Sequence, residues 1–161
     1  MSKITFLGAG STVFAKNVLG DCMTVDAIQN FEFALFDIDE ERLNDSELML
    51  NNLKKNLNSK VTIKSYTDRK EALRGAKYVI NAIQVGGYDP CTITDFEIPK
   101  KYGLRQTIAD TLGIGGVFRN LRTIPVMREF AKDMREVCPD AWFLNYTNPM
   151  AVLTSVMLQE G

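Results

Sequence analysis

Gly8-Ala9-Gly10-Ser11-Thr12-Val13 places two glycines and two hydroxyl side chains between a short apolar run and an amphipathic one. Glycines in such a turn let the backbone approach a pyrophosphate, whose negative charge the N–H groups opening the next helix would attract. The sixth position of this fingerprint is ordinarily glycine or alanine, which allows close packing of helix on strand, so Val13 predicts a slightly displaced helix. Asp37 ends the second apolar run, where a carboxylate would accept hydrogen bonds from an adenosine ribose and repel a 2′-phosphate, favouring NAD over NADP. Either Asp37 or Asp39 could instead cap the following helix, with Asp39 the better placed for capping.

Asn81 and Asn145 end two further apolar runs, so both amides would lie along the carboxyl edge of a parallel sheet, where ligands bind. A turn role suits either equally. Asn148-Pro149 is an ordinary turn dipeptide that needs no ligand to explain it. Asp110 precedes Gly113-Ile-Gly-Gly116, glycines that either end a loop or open the backbone to a substrate. Arg119 and Arg122 stand one helical turn apart, able to meet carboxylates or phosphates, or to line a solvated face.

These residues need a scaffold, and the hydrophobic periodicity supplies one. Strands are predicted at 4–7, 31–36, 61–65, 78–83 and 141–144, and helices at 12–23, 39–57, 94–102, 117–137 and 150–158. A further short helix is capped by Asp68 and ended by Gly75. Alternating strands and helices imply an α/β fold, a doubly wound parallel sheet with helices on both faces. Phe14, Val18 and Leu19, together with Met127, Phe130 and Met134, fall at core spacing. One domain over 1–161 is expected from length.

Composition narrows the chemistry. Lys and Arg total 19 against 20 Asp and Glu, so no net field recruits nucleic acid or an anionic membrane. No stretch of about 18 apolar residues suggests a membrane span, and Met1 runs into a strand pattern without a signal-peptide h-region. The three cysteines, Cys22, Cys91 and Cys138, form no C-x-x-C pair and read as small core residues in a reducing, cytoplasmic compartment. The sequence has no histidine, which removes a Ser-His-Asp triad, a Cys-His pair and the usual histidine-bearing zinc sites from these residues.

The motifs Lys3-Ile-Thr-Phe-Leu-Gly-Ala-Gly-Ser-Thr12, Phe36-Asp-Ile-Asp39, Asn81-Ala-Ile-Gln-Val-Gly-Gly87, Gly113-Ile-Gly-Gly116 and Asn145-Tyr-Thr-Asn-Pro149 resemble glycoside hydrolase family 4, the NAD-dependent glycosidases. Within it, 98–111 and 118–125 look most similar to the melibiase-type α-galactosidases. The resemblance implies a lactate/malate dehydrogenase-like Rossmann fold and hydrolysis of small-molecule α-galactosides by redox elimination and addition. NAD then serves as a catalyst, and a divalent metal, usually Mn²⁺, polarises the sugar oxygens. By matched position, Gly8, Gly10, Ser11 and Thr12 would hold the pyrophosphate and Asp37 the ribose. Asn81 and Asn145 would lie toward the rest of the cofactor, and Asn148 and Asp110 would contact the sugar.

The family's metal ligands and tyrosine base are expected downstream of Gly161, so no catalytic or metal residue is assigned within these positions. Five strand patterns where a complete Rossmann domain has six suggest a truncated domain, with Val152, Leu153, Val156 and Met157 left uncovered. A homo-oligomer is expected of the intact protein. Competing readings are a family 4 enzyme for α-glucosides, glucuronides or 6-phospho-glycosides, a lactate- or malate-type 2-hydroxy acid dehydrogenase, and a non-enzymatic dinucleotide sensor.

Overall fold

The computed structural model describes Met1–Glu160. Its sheet has five strands, β1 (Lys3–Leu7), β2 (Glu32–Phe36), β3 (Thr62–Tyr66), β4 (Ala76–Asn81) and β5 (Trp142–Asn145), in the order β3-β2-β1-β4-β5. β1 pairs in parallel with both β2 and β4, and β2 with β3. Parallel neighbours require a crossover to return the chain, and helices α1 (Thr12–Met23), α2 (Glu40–Asn56) and α3 (Arg69–Leu73) provide it. The α/β parallel sheet expected from periodicity is the fold found. Two compact units divide the chain, Met1–Ile83 with Asp133–Leu144, and Gln84–Lys132 with the segment from Asn145 on.

In the first unit the core gathers on β1 and β2, with Phe6, Phe33 and Leu35 fully buried against Leu19 of α1 and Leu50 of α2. Phe14 and Val18 pack at its margin, as does Cys22. Val13 is 73% exposed, so its side chain lies outside the contact between helix and sheet and gives no reason for the displacement expected of it. Close approach occurs instead at Gly20, where an added Cβ would lie 2.9 Å from Leu53 Cδ2 of α2. β2 begins at Glu32 because the Phe31 N–H closes a short 3₁₀ turn onto the Ile28 carbonyl.

Glu32 is a buried carboxylate on this apolar frame. Its carboxylate accepts hydrogen bonds from Lys64 Nζ and Tyr66 Oη, each at 2.8 Å, and pairs with Lys3 Nζ at 3.4 Å. Burial alone would raise its pKa, but these bonds and charges hold it below the usual carboxylate range. Burial and the same carboxylate push the Tyr66 phenol up to about 12.

The second unit holds an irregular turn over Gly87–Thr92, α4 (Ile93–Lys101), the N-terminal part of α5 (Gly113–Val137) and α6 (Met150–Glu160). α5 starts at Gly113 rather than near 117, so the glycine cluster is its first turn. The reason is steric: a Cβ at Gly115 would stand 2.7 Å from the Ala109 carbonyl oxygen and 2.8 Å from that of Asp95. At Gly116 it would stand 2.5 Å from the Thr111 oxygen. On α6, Leu153 and Met157 are buried, contrary to expectation, whereas Val152 is exposed as expected and Val156 is half-buried. Further along α5, Met127, Phe130 and Met134 are core residues, and Cys138 just beyond it is buried, with its thiol pushed up to about 11 by desolvation.

A carboxylate whose pKa is depressed by folding stabilises the fold above its unfolded pKa and ceases to do so as pH falls through the folded value. Glu32→Gln is therefore expected to cost about 1–3 kcal/mol at pH 7. Urea unfolding at pH 7 and again below pH 4 should show that difference shrinking in acid.

Candidate functional site

The carboxyl ends of β1, β2 and β4 are level, because Leu7 pairs with Phe36 on one side and with Asn81 on the other. This edge lies where strand order reverses, between β1 and β4, the position at which open α/β sheets bind ligands. Gly8 turns out of β1 with φ +87°, and the N–H groups of Gly8 and Ala9 both donate to the Phe36 carbonyl. An added Cβ on Gly8 would sit 2.8 Å from the Ala82 oxygen, so only glycine fits.

Asp37 is the residue that fixes this turn. Its Oδ2 accepts the Gly10 N–H at 2.6 Å, and its Oδ1 accepts the Asp39 N–H at 3.0 Å. Asp39 caps α2 by accepting the Arg42 N–H at 3.1 Å, so the division of labour expected for capping between these two acids is present. Ser46 of α2 donates from its hydroxyl to the Ala9 carbonyl at 2.7 Å and fastens the same turn from beneath. Sequence reasoning missed Ser46, although a serine in register with Leu43 and Leu50 on a buried helix face is a detectable signal.

α1 opens differently from α2. Ser11 makes no capping hydrogen bond from its side chain and the first turn carries no acid, whereas α2 has Asp39 at its cap with Glu40 and Glu41 behind it. The first turn of α1 thus supplies no acid or side-chain cap of its own, and the one carboxylate in the Gly8–Gly10 turn, Asp37, is engaged by the Gly10 and Asp39 N–H groups, which leaves the N–H groups that open α1 to a phosphate. Asn81 is fully buried at the end of β4. These features fit a dinucleotide in the first unit.

In the second unit, Asn145 takes the turn role. Its Oδ1 accepts the Thr147 N–H at 3.1 Å, and its Nδ2 donates to the Thr147 carbonyl and Thr154 Oγ1 at 3.2 and 3.3 Å. The turn presents Asn148, whose carbonyl accepts Arg119 Nε at 3.0 Å and whose half-buried side-chain amide has no protein hydrogen bond among the described residues. Arg119 and Arg122 do not line a solvated face. Arg122 donates from Nη1 to Asp95 Oδ1 at 2.8 Å, from Nη2 to Asp95 Oδ2, and from Nε to the Val85 carbonyl at 3.1 Å.

Asp95, only 1% exposed, carried no signal in the sequence. Nor did Gln106, whose Oε1 accepts the Gly115 N–H at 3.1 Å and whose Nε2 donates to the Leu112 carbonyl at 2.8 Å, closing the start of α5. The glycines of that turn thus serve packing. Asp110 lies beside them, half-buried, with Oδ1 accepting the Thr111 hydroxyl at 3.4 Å.

No group of three or more Cys, His, Asp or Glu side chains among the described residues could hold a metal. No helix among them is long and apolar enough to cross a membrane.

Residues 3–160 match the model of the family 4 glycosyl hydrolases. The chain belongs to that family. It is 70% identical over 159 residues to an alpha-galactosidase of Bacillus subtilis, covering 99% of this chain and 37% of the relative. A crystal structure of a 6-phospho-alpha-glucosidase from gut microorganisms in complex with NAD and Mn²⁺ superposes with a TM-score of 0.83 at 26% identity, over 99% of this chain and 36% of that one. A lactate dehydrogenase of Eimeria maxima with NADH and oxamate follows at 0.69 and 17%, over 99% and 40%, a likeness of fold alone. This family 4 chain spans about a third of the length of the curated alpha-galactosidase it matches.

Gly8 and Gly75 both have positive φ, but only Gly8 is crowded. Gly75→Ala is expected to cost about 1–2 kcal/mol from backbone strain alone, and Gly8→Ala about 3 kcal/mol or more from strain plus collision with Ala82. Denaturant unfolding of the two variants side by side checks the order.

Proposed function

We propose that the whole protein hydrolyses α-galactosides, with NAD held by the first unit and the sugar by the second. The observation that carries this reading is the 70% identity, along nearly the whole chain, to an alpha-galactosidase. In the first unit, Gly8, Gly10, Ser11 and Thr12 would border the pyrophosphate at the open end of α1. Asp37, already holding Gly10 and Asp39, would accept from the ribose hydroxyls with its remaining lone pairs and disfavour a 2′-phosphate. Asn81 and Asn145 stand at the ends of β4 and β5, Asn145 acting through the turn it holds.

Held by these residues, NAD⁺ would supply reversible hydride acceptance, a role in which no coenzyme would be consumed. The residues of this chain bind and orient. Asn148 would hydrogen-bond a sugar hydroxyl with its uncommitted amide, and Asp110 would accept from another. The described residues do not form a metal centre, so no step through Mn²⁺ is assigned to them. A metal is proposed for the whole protein because the 6-phospho-alpha-glucosidase structure carries Mn²⁺ with NAD. A cytoplasmic homo-oligomer completes the reading.

The test is cleavage of 4-nitrophenyl α-galactoside by the whole protein, with and without NAD⁺ and Mn²⁺, beside the α-glucoside and a 2-hydroxy acid. Galactoside cleavage requiring both additions, without accumulation of NADH, is the expected result. Stoichiometric NADH from the hydroxy acid with no glycoside cleaved would replace this reading with a dehydrogenase. Asn148→Ala is expected to lower kcat/KM for the galactoside about 10- to 100-fold, as loss of one buried sugar hydrogen bond does, while leaving the Kd for NAD unchanged.

A further inference from the structure

Two arginines one turn apart on α5 meet opposite fates. The donors of Arg122 are spent on Asp95 and the Val85 carbonyl. Arg119 uses only Nε, on the Asn148 carbonyl, and no acceptor among the described residues takes its two Nη groups. It is half-buried, forms no salt bridge among the described residues, and burial works to lower its pKa while the charge of Asp110 works to raise it. A guanidinium drawn partly out of water without a paired carboxylate is costly unless a ligand completes its hydrogen bonds. Asp110 gives one oxygen to a long contact with Thr111 and has no other hydrogen bond among the described residues.

We infer that Arg119 is a substrate-binding residue, presenting its two Nη groups to neighbouring hydroxyls of the glycoside. This rests on the glycosidase reading proposed above. The planar fork of arginine suits two adjacent oxygens, and its Nε bond to the Asn148 carbonyl anchors the guanidinium at the residue whose side-chain amide is uncommitted.

The experiment uses the whole protein with NAD⁺ and Mn²⁺, and 4-nitrophenyl α-galactoside, α-glucoside and α-galacturonide as substrates. Arg119→Lys keeps the charge and loses the fork, and is expected to raise KM for the galactoside about tenfold, with Arg119→Ala raising it further. The Kd for NAD should stay within about twofold of wild type in both.

KM within about twofold of wild type in both arginine variants overturns the inference. Parallel loss of NAD affinity, thermal stability and KM marks Arg119 as merely structural and likewise overturns it. Should Arg119→Ala fail to fold, Arg119→Lys decides. Wild type that cleaves the glucoside but not the galactoside overturns the galactoside reading alone, and the Arg119 effect is then read on the glucoside. Wild type that cleaves none of the three overturns both.

Discussion

Parallel pairing of β1 with β2 on one side and β4 on the other is the constraint from which the cofactor-side geometry follows. Each pairing obliges the chain to return through a helix, so the strands all run out at one edge and each crossover begins there. Leu7, Phe36 and Asn81 end level, and the turns that leave them must be short and close together. Crowding at Gly8, the capture of two N–H groups by the Phe36 carbonyl and the reach of Asp37 to Gly10 are consequences of that register.

The first unit also separates stabilising charge from functional charge. Glu32 with Lys3, Lys64 and Tyr66 forms a satisfied network, each donor matched to a carboxylate oxygen. Where α1 leaves the glycine turn, its own first turn carries neither a side-chain cap nor an acid. Helices that serve only the fold usually compensate their dipoles, as α2 does with acids in its first turn and lysines in its last. The same contrast recurs in the second unit between Arg122, enclosed by Asp95, and Arg119, which is held by a single carbonyl.

Much of this was legible. Apolar runs of period two and 3.6 located the strands and helices to within a few residues, since burial on one face or two imposes those periods directly. Asp37 and Asp39 could be told apart because one lies at a strand end and the other at a helix start. Less legible were residues whose partners are distant in the chain. Asp95 and Arg122 are separated by 27 positions, and no local pattern marks an acid as the mate of a particular arginine. Val13 misled for a related reason, because the fingerprint position is informative only if it faces the strand, and here it faces solvent.

Local sequence by itself determined the elements, the glycine turn, the caps on α2 and α3 and the family, because each depends on neighbours in the chain and on short-range sterics. Only the tertiary structure decided how the polar side chains are spent. It committed Asn145 to the 145–148 turn, Gln106 to the start of α5 and Arg122 to Asp95, and left Asn148 and the Nη groups of Arg119 uncommitted among the described residues. A hydrogen bond between distant residues depends on ångström-scale placement of both ends, which the packing of whole elements sets and the residue types alone do not.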